Sequence, residues 1–167
     1  GLAPNAIVMS WRGFEGGLQA AKQGHKVVMT PFSHCYFNFY QGNPEFEPVA
    51  WGGHLPLEKV YDFNPIPPGL SQQDAEHIIG SQGNLWTEYI QTEDIAEYMV
   101  IPRMCALAEV LWSDSTQRNY RNFMQRMETH FKRFDAMNVN YSLTAYDVKV
   151  NSRSEERRVG KECATGC

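Results

Sequence analysis

The chain has 167 residues, 43% hydrophobic and 20% charged, enough for one domain with a real core and too apolar for a disordered segment. Its formal net charge of −4 argues against a nucleic-acid partner, which needs a basic face. No apolar run approaches the ~20 residues that span a bilayer.

The chain opens GLAPN, with no Met and no signal-peptide pattern, so the opening gives no information about export. AIVMSW (6–11) is a short apolar run that reads as a buried strand. FEGGLQAAKQG (14–24) has helical composition and ends at Gly24, a natural C-terminal stop. KVVMTP (26–31) reads as a second strand, stopped by Pro31. Strand, helix, strand in so few residues is the pattern of a βαβ unit and a parallel sheet.

The stretch 34–71 is rich in Pro, Gly and aromatics, and an irregular segment of that length in a compact domain is usually functional. HIIGSQGNLW (77–86) reads as a third strand, weakened near its end by Gly80 and Gly83. A helix is expected over 93–112, with Ile95, Met99, Val100, Met104, Leu107, Ala108 and Leu111 as its apolar stripe and a kink at Pro102. A second is expected over 116–137, where Tyr120, Phe123, Met124, Met127, Phe131 and Phe134 repeat at three and four.

The order is β-α-β-loop-β-α-α. Three parallel strands leave open edges and do not close a barrel. The chain is either a small three-layer domain or the last part of something larger, and the unusual start favours the second. Cys35 and Cys105 lie in apolar contexts and read as buried thiols. Cys163 and Cys167 fall in a terminal tail, and no cysteine spacing resembles a zinc site or a disulfide framework. The run RSEERRVGKEC (153–163) has no apolar periodicity and resembles the in-frame translation of a sequencing adapter. The domain is therefore expected over 1–150, with 151–167 as a non-native or disordered tail.

Polar and aromatic residues gather at the strand ends. The first strand ends in SWRG, with Trp11 and Arg12; the second leads into CYFNFY, with Tyr36 and Asn38 two apart; the third ends in LWTE, with Trp86 and Glu88 two apart. Residues two apart on an extended chain share a face. Trp86 and Glu88 then set a flat indole beside a carboxylate, a pairing suited to a sugar: the indole stacks on the apolar face of the ring and the carboxylate accepts from its hydroxyls. In parallel α/β folds, sites form at the carboxyl ends of strands.

VMSWRGFEGGLQAAKQGHKVVMTP, CYFNFYQGNPEFEP, GGHLPLEKVYDFNP, GSQGNLWTEYI and EYMVIPRMCALAEVLWS, in this order, resemble the C-terminal part of the catalytic domain of glycoside hydrolase family 20, the β-N-acetylhexosaminidases, particularly the bacterial ones. The resemblance covers about 1–148. It implies an α/β fold, the portion holding about strands six to eight of a (β/α)8 barrel, a fold of roughly 250 residues when whole. It implies exo-hydrolysis of terminal β-linked N-acetylglucosamine or N-acetylgalactosamine, with retention, by an oxazolinium intermediate that the substrate's own acetamido oxygen forms.

The same resemblance assigns residues. Trp11 walls the acetamido pocket, and the Tyr36 hydroxyl aligns the acetamido oxygen for attack. Trp86 stacks under the sugar, Glu88 binds the 4-hydroxyl, and Asn38 contacts the outer hydroxyls. Asn38 stands where the family usually has Asp, which removes a negative charge near O6 and adds an amide donor. The general acid/base Glu and its neighbouring Asp belong to strand four, upstream of Gly1, so the chain alone is expected to be inactive. No cofactor and no metal is implied. The implied partners are N-acetylhexosamine-terminated glycans, with no nucleic acid and no membrane span in this stretch, and the implied location is outside the cytoplasm: periplasm, surface or medium. Tyr40 and Trp51 read as rim residues, His34 as structural, Trp112 as packing, and Arg103 as a local hydrogen-bond anchor. The competing reading is a non-catalytic carbohydrate-binding relic of the same barrel. A redox or nucleotide-binding domain fits poorly, since there is no phosphate loop and no CxxC.

Overall fold

The structure, a computed structural model, describes residues 1–146; the proposed tail at 151–167 lies outside the described residues. The elements are β1 (Ile7–Ser10), α1 (Glu15–Lys22), β2 (Lys26–Met29), α2 (Phe32–Cys35), α3 (Leu57–Tyr61), α4 (Gln72–Ala75), β3 (Ile78–Ser81), α5 (Glu93–Val100), α6 (Arg103–Trp112) and α7 (Tyr120–Met137). The three strands form one sheet in the order β1-β2-β3, parallel throughout, with Val8 opposite Val27 and Val27 opposite Ile78. Among the described residues no helix is long and apolar enough to cross a membrane.

The βαβ unit forms as the sequence implies. Ser10 closes β1 and starts α1 at once: its Oγ donates to the Gly13 carbonyl at 2.6 Å and accepts the Gly17 N–H at 2.9 Å. Gly24, at φ 82°, turns the chain out of α1 into β2 in a conformation that a Cβ would strain. β3 is shorter than the 77–86 expectation. It ends at Ser81, because Gly80 sits at φ 149° and the β2–β3 register slips between Val27 and Val28.

β1 is not the buried strand expected. Ile7 is 58% exposed and Met9 47%, while Ser10 is buried. β1 is an edge, and its Ile7–Met9 face looks away from α1, whose Ala20 and Ala21 pack into the core with Val27 and Met29 of β2.

The 93–112 segment holds two helices rather than one kinked helix. Pro102 has no N–H to continue the ladder, and Ile101 before it is extended (φ −98°, ψ 129°). The break resets the helical phase. In α6 the buried face is Arg103, Ala106, Leu107 and Val110, whereas Met104, Ala108 and Leu111 of the expected stripe are exposed. Trp112, expected to pack, is 91% exposed at the end of α6.

The last helix starts later than expected, at Tyr120. Asn119 caps it by accepting the Asn122 N–H at 2.9 Å, and residues Ser115–Gln117 form a separate 3-10 turn. Its stripe is as read: Phe123, Met127 and Phe131 are buried in the main core, with Tyr120, Met124 and Phe134 against it. α3 and α6 pack closely in the same core, and Tyr61 pins them to α7. Its hydroxyl donates to Glu109 Oε1 at 2.7 Å and accepts the Asn119 N–H at 2.9 Å.

Candidate functional site

The carboxyl ends of the three strands open into one cavity of about 910 Å³, near the upper end for a small-molecule site. Trp11, Tyr36, Asn38, Trp86 and Glu88 all line it. Trp11 follows β1, and its carbonyl accepts the Phe32 N–H at 2.8 Å, tying the first strand end to the start of α2. The Arg12 guanidinium lies over the Trp11 indole, 4.9 Å from the ring centroid.

Tyr36 leaves α2 in an extended conformation and pairs with Asn84 in a parallel bridge. The Phe37 N–H donates to the Asn84 carbonyl, and the Asn84 N–H to the Cys35 carbonyl, both at 2.7 Å. This short ladder lies beyond the end of β3 and sets Tyr36 beside the segment that carries Trp86. Asn38 is 4% exposed, and its Oδ1 is one of three buried side-chain atoms among the described residues without a hydrogen-bond partner. A buried amide oxygen left unpaired costs about 1–3 kcal/mol, so a ligand hydroxyl reaching it through the cavity would recover that cost.

Trp86 and Glu88 do not lie on a regular strand. The chain past Ser81 nevertheless stays extended enough to keep the alternation: Gln82, Asn84, Trp86 and Glu88 all face the cavity. Gln82 and Asn84 were passed over at the sequence level, although carrying the two-residue period backwards from Trp86 reaches both. They bond each other, Gln82 Nε2 donating to Asn84 Oδ1 at 2.8 Å. Met9, Thr30, Phe32 and Phe39 also line the cavity. Met9 precedes Trp11 by two and Phe39 follows Tyr36 by three, but nothing in Thr30 or Phe32 marks them before folding.

Trp51 belongs to the same wall, stacked on Phe39 with ring centroids 6.2 Å apart. Tyr40 does not: it is half-buried, pairs with His54 through a backbone bridge, and does not line the cavity although its neighbour Phe39 does. His34 is also outside the cavity. Its ring stacks on Phe63 at 5.3 Å, and burial, helped by Lys59, holds its pKa below the usual histidine value. Cys35 is buried against Ser81, and desolvation pushes its thiol up to about 11, far from a reactive thiolate.

Arg103, read from sequence as a local anchor, is the largest side chain in the core, fully buried. It bonds the carbonyls of Phe37, Phe39, Leu55 and Met99, three of them distant in sequence. Desolvation lowers its pKa to about 9, still high enough to keep the guanidinium charged at neutral pH.

Comparison with known proteins agrees with this geometry. Residues 1–115 match the model of glycosyl hydrolase family 20, catalytic domain. A β-hexosaminidase of Porphyromonas gingivalis is 43% identical over 144 residues, covering 86% of this chain and 18% of the relative. A β-N-acetylhexosaminidase of Cellulomonas fimi is 32% identical over 114 residues, 66% of this chain and 22% of the relative. Among solved structures, the family 20 exo-β-N-acetylglucosaminidase of Vibrio harveyi, in complex with N-acetylglucosamine, superposes with a TM-score of 0.78 at 31% identity, over 86% of this chain and 23% of that one. The chain thus spans about a fifth of the length of such relatives. Its three parallel strands with their helices are consistent with part of a (β/α)8 barrel. The family match, the similarity to these relatives and the superposition together show that the chain belongs to glycosyl hydrolase family 20, as part of its catalytic domain.

Proposed function

We propose that this chain is the sugar-facing wall of a β-N-acetylhexosaminidase, formed by strands six, seven and eight of its barrel. One observation carries the reading: aromatic and polar residues from the ends of all three strands line a single cavity. The parent enzyme removes terminal β-linked N-acetylglucosamine or N-acetylgalactosamine from glycans and glycoconjugates, with retention. Export to the periplasm, surface or medium is part of the same proposal and rests on the resemblance alone.

The chemistry divides between substrate and wall. The acetamido oxygen attacks the anomeric carbon, the glycosidic bond breaks with proton transfer to the leaving oxygen, and water then opens the oxazolinium. Tyr36 holds the acetamido oxygen in line, a hydrogen bond that strengthens as charge develops. Trp11 walls the acetamido group and Trp86 stacks on the ring. Glu88 takes the 4-hydroxyl, and Asn38 meets the outer hydroxyls with its unpartnered Oδ1. Trp51 borders the leaving-group side. The acid/base Glu and its Asp come from elsewhere in the barrel: no Asp-Glu pair in that order occurs in the 167 residues, and these residues by themselves are expected to be inactive.

The test is hydrolysis of 4-nitrophenyl N-acetyl-β-glucosaminide against the plain β-glucoside by the complete gene product. Cleavage of the N-acetyl substrate alone supports the reading. Equal cleavage of both would overturn the substrate-assisted mechanism. Cleavage of neither, with N-acetylglucosamine still bound, would leave a carbohydrate-binding relic.

A further inference from the structure

We propose that Arg103 is a positioning residue for the sugar pocket, its guanidinium fixing the turn that carries Tyr36 and Asn38 and the return segment that follows Trp51 as one rigid wall. The kinetic part of this inference rests on the family 20 reading above.

All five N–H donors of the guanidinium are used. Nε donates to the Met99 carbonyl at 3.1 Å, Nη1 to Phe39 at 3.0 Å and Leu55 at 3.1 Å, and Nη2 to Phe37 and Met99, both at 2.5 Å. The side chain is 0% exposed. The one ion pair among the described residues joins Arg126 and Glu109, so Arg103 meets backbone dipoles rather than a carboxylate. Burying a charge on those terms is costly; a Met or Leu would fill the space without that cost but would leave the carbonyls of Phe37, Phe39, Leu55 and Met99 without this donor. What the guanidinium adds is direction.

The carbonyls it holds are not scattered. Phe37 and Phe39 flank Asn38 on either side, and Asn38 lines the cavity between them. Leu55 closes the return segment, which is itself stitched to the turn: the Trp51 N–H donates to the Asn38 carbonyl at 3.3 Å and the Leu55 N–H to the Tyr40 carbonyl at 2.8 Å. Both strands of this loop hang from Nη1. The fourth carbonyl, that of Met99, would accept the residue-103 N–H in an unbroken helix, so the break at Pro102 coincides with its use by the Arg103 side chain. The guanidinium also rests over the Phe37 ring, 5.3 Å from its centroid. A lysine has three donors at one point and cannot reproduce the planar set.

The test uses Arg103→Lys and Arg103→Gln in the complete gene product. A reacting group displaced by an ångström loses on the order of 100-fold in rate, so kcat on the N-acetyl aryl substrate is expected to fall by that order. The loss should shrink to within about 2-fold in a Tyr36→Phe background and largely persist in a Trp86→Phe background, since Arg103 holds the turn of Tyr36 directly and reaches the Trp86 segment only through Asn84. Equal losses in both backgrounds would overturn the proposal. Amide hydrogen exchange gives an answer that needs no activity and so separates this inference from the proposed function. Exchange at 37–40 and 51–55 should quicken while α7 keeps its protection. Loosening of α7 along with these segments, or failure of both variants to fold, would make Arg103 a purely structural residue.

Discussion

Gly83 gives a sharp test of how the two walls of the pocket are joined. It lies between β3 and Trp86, where the chain runs against the face of Phe37. A Cβ added there would sit 2.5 Å from Phe37 Cε2, 3.0 Å from Cζ and 3.1 Å from Cδ2. Ordinary carbon–carbon contact begins near ~3.5 Å, so Gly83→Ala creates an overlap of roughly 1 Å. Phe37 cannot retreat, being fully buried, with the Arg103 guanidinium over its ring. The backbone cannot slide freely either, because Asn84 is bonded to Cys35 and Phe37 on the neighbouring segment. Overpacking of this kind costs about 1–3 kcal/mol. The assay is urea unfolding of the complete gene product, read as a lower midpoint with an unchanged slope. Phe37→Leu in the Gly83→Ala background should return part of the loss, with a coupling of about 1 kcal/mol between the two sites. A Gly83→Ala protein within about 0.5 kcal/mol of the parent, the range of an inert surface change, would refute the argument.

Tyr36→Phe should lower kcat on 4-nitrophenyl N-acetyl-β-glucosaminide by about 100- to 1,000-fold, the scale of losing one oriented hydrogen bond to developing charge, and leave KM within a few-fold. A rise in KM with kcat unchanged would make Tyr36 a binding residue only. If Asn38 meets O6 as proposed, Asn38→Asp should shift selectivity away from 6-sulfated and toward unsulfated aryl substrates, because it puts a negative charge there; equal selectivity in both forms would sink that reading. His34 titrates below its ordinary value of 6.5 in the folded state, chiefly through burial. Below pH 6.5 the unfolded chain therefore takes up a proton that the folded chain resists, and stability falls as the pH drops toward the lowered value. His34→Phe, which keeps a ring against Phe63, should flatten that fall in thermal unfolding between pH 6.5 and 5. An unchanged slope would show that other groups carry it.

Much of the site was legible before folding, because its logic is local. Trp11 sits one residue past the end of β1; Tyr36 and Asn38, two apart, reach the cavity through a turn; and Trp86 and Glu88 are spaced by two on a segment that keeps the strand alternation. That spacing is a backbone property and needs no neighbour to express it. The alternation survived even where the hydrogen-bonded ladder did not, through Gln82, Asn84, Trp86 and Glu88. The apolar face of α7 was equally legible, since a 3.6-residue stripe needs only its own sequence to choose a side, whereas its start behind the Asn119 cap was expected too early.

The misreadings came where a contact from elsewhere decides. The phase of α6 depended on whether Pro102 bends or breaks the helix, and the break turned Met104 and Leu111 outward. Ile7 and Met9 read as core because apolar runs in β strands usually are, but burial belongs to whatever packs on a strand, not to the strand.

The sequence by itself determined the parallel βαβ order, the aromatic and polar residues at three strand ends, and the family to which those motifs belong. The tertiary structure alone decided that one cavity gathers them, that Asn84 splices the Tyr36 turn to the Trp86 segment, and that Arg103 is spent inside the core. The physical reason is the range of the forces involved. Turn chemistry and side-chain periodicity act over a few residues and are written along the chain. A buried guanidinium is stable only when distant carbonyls converge on it, and no stretch of sequence announces carbonyls that come from 48 to 66 positions away.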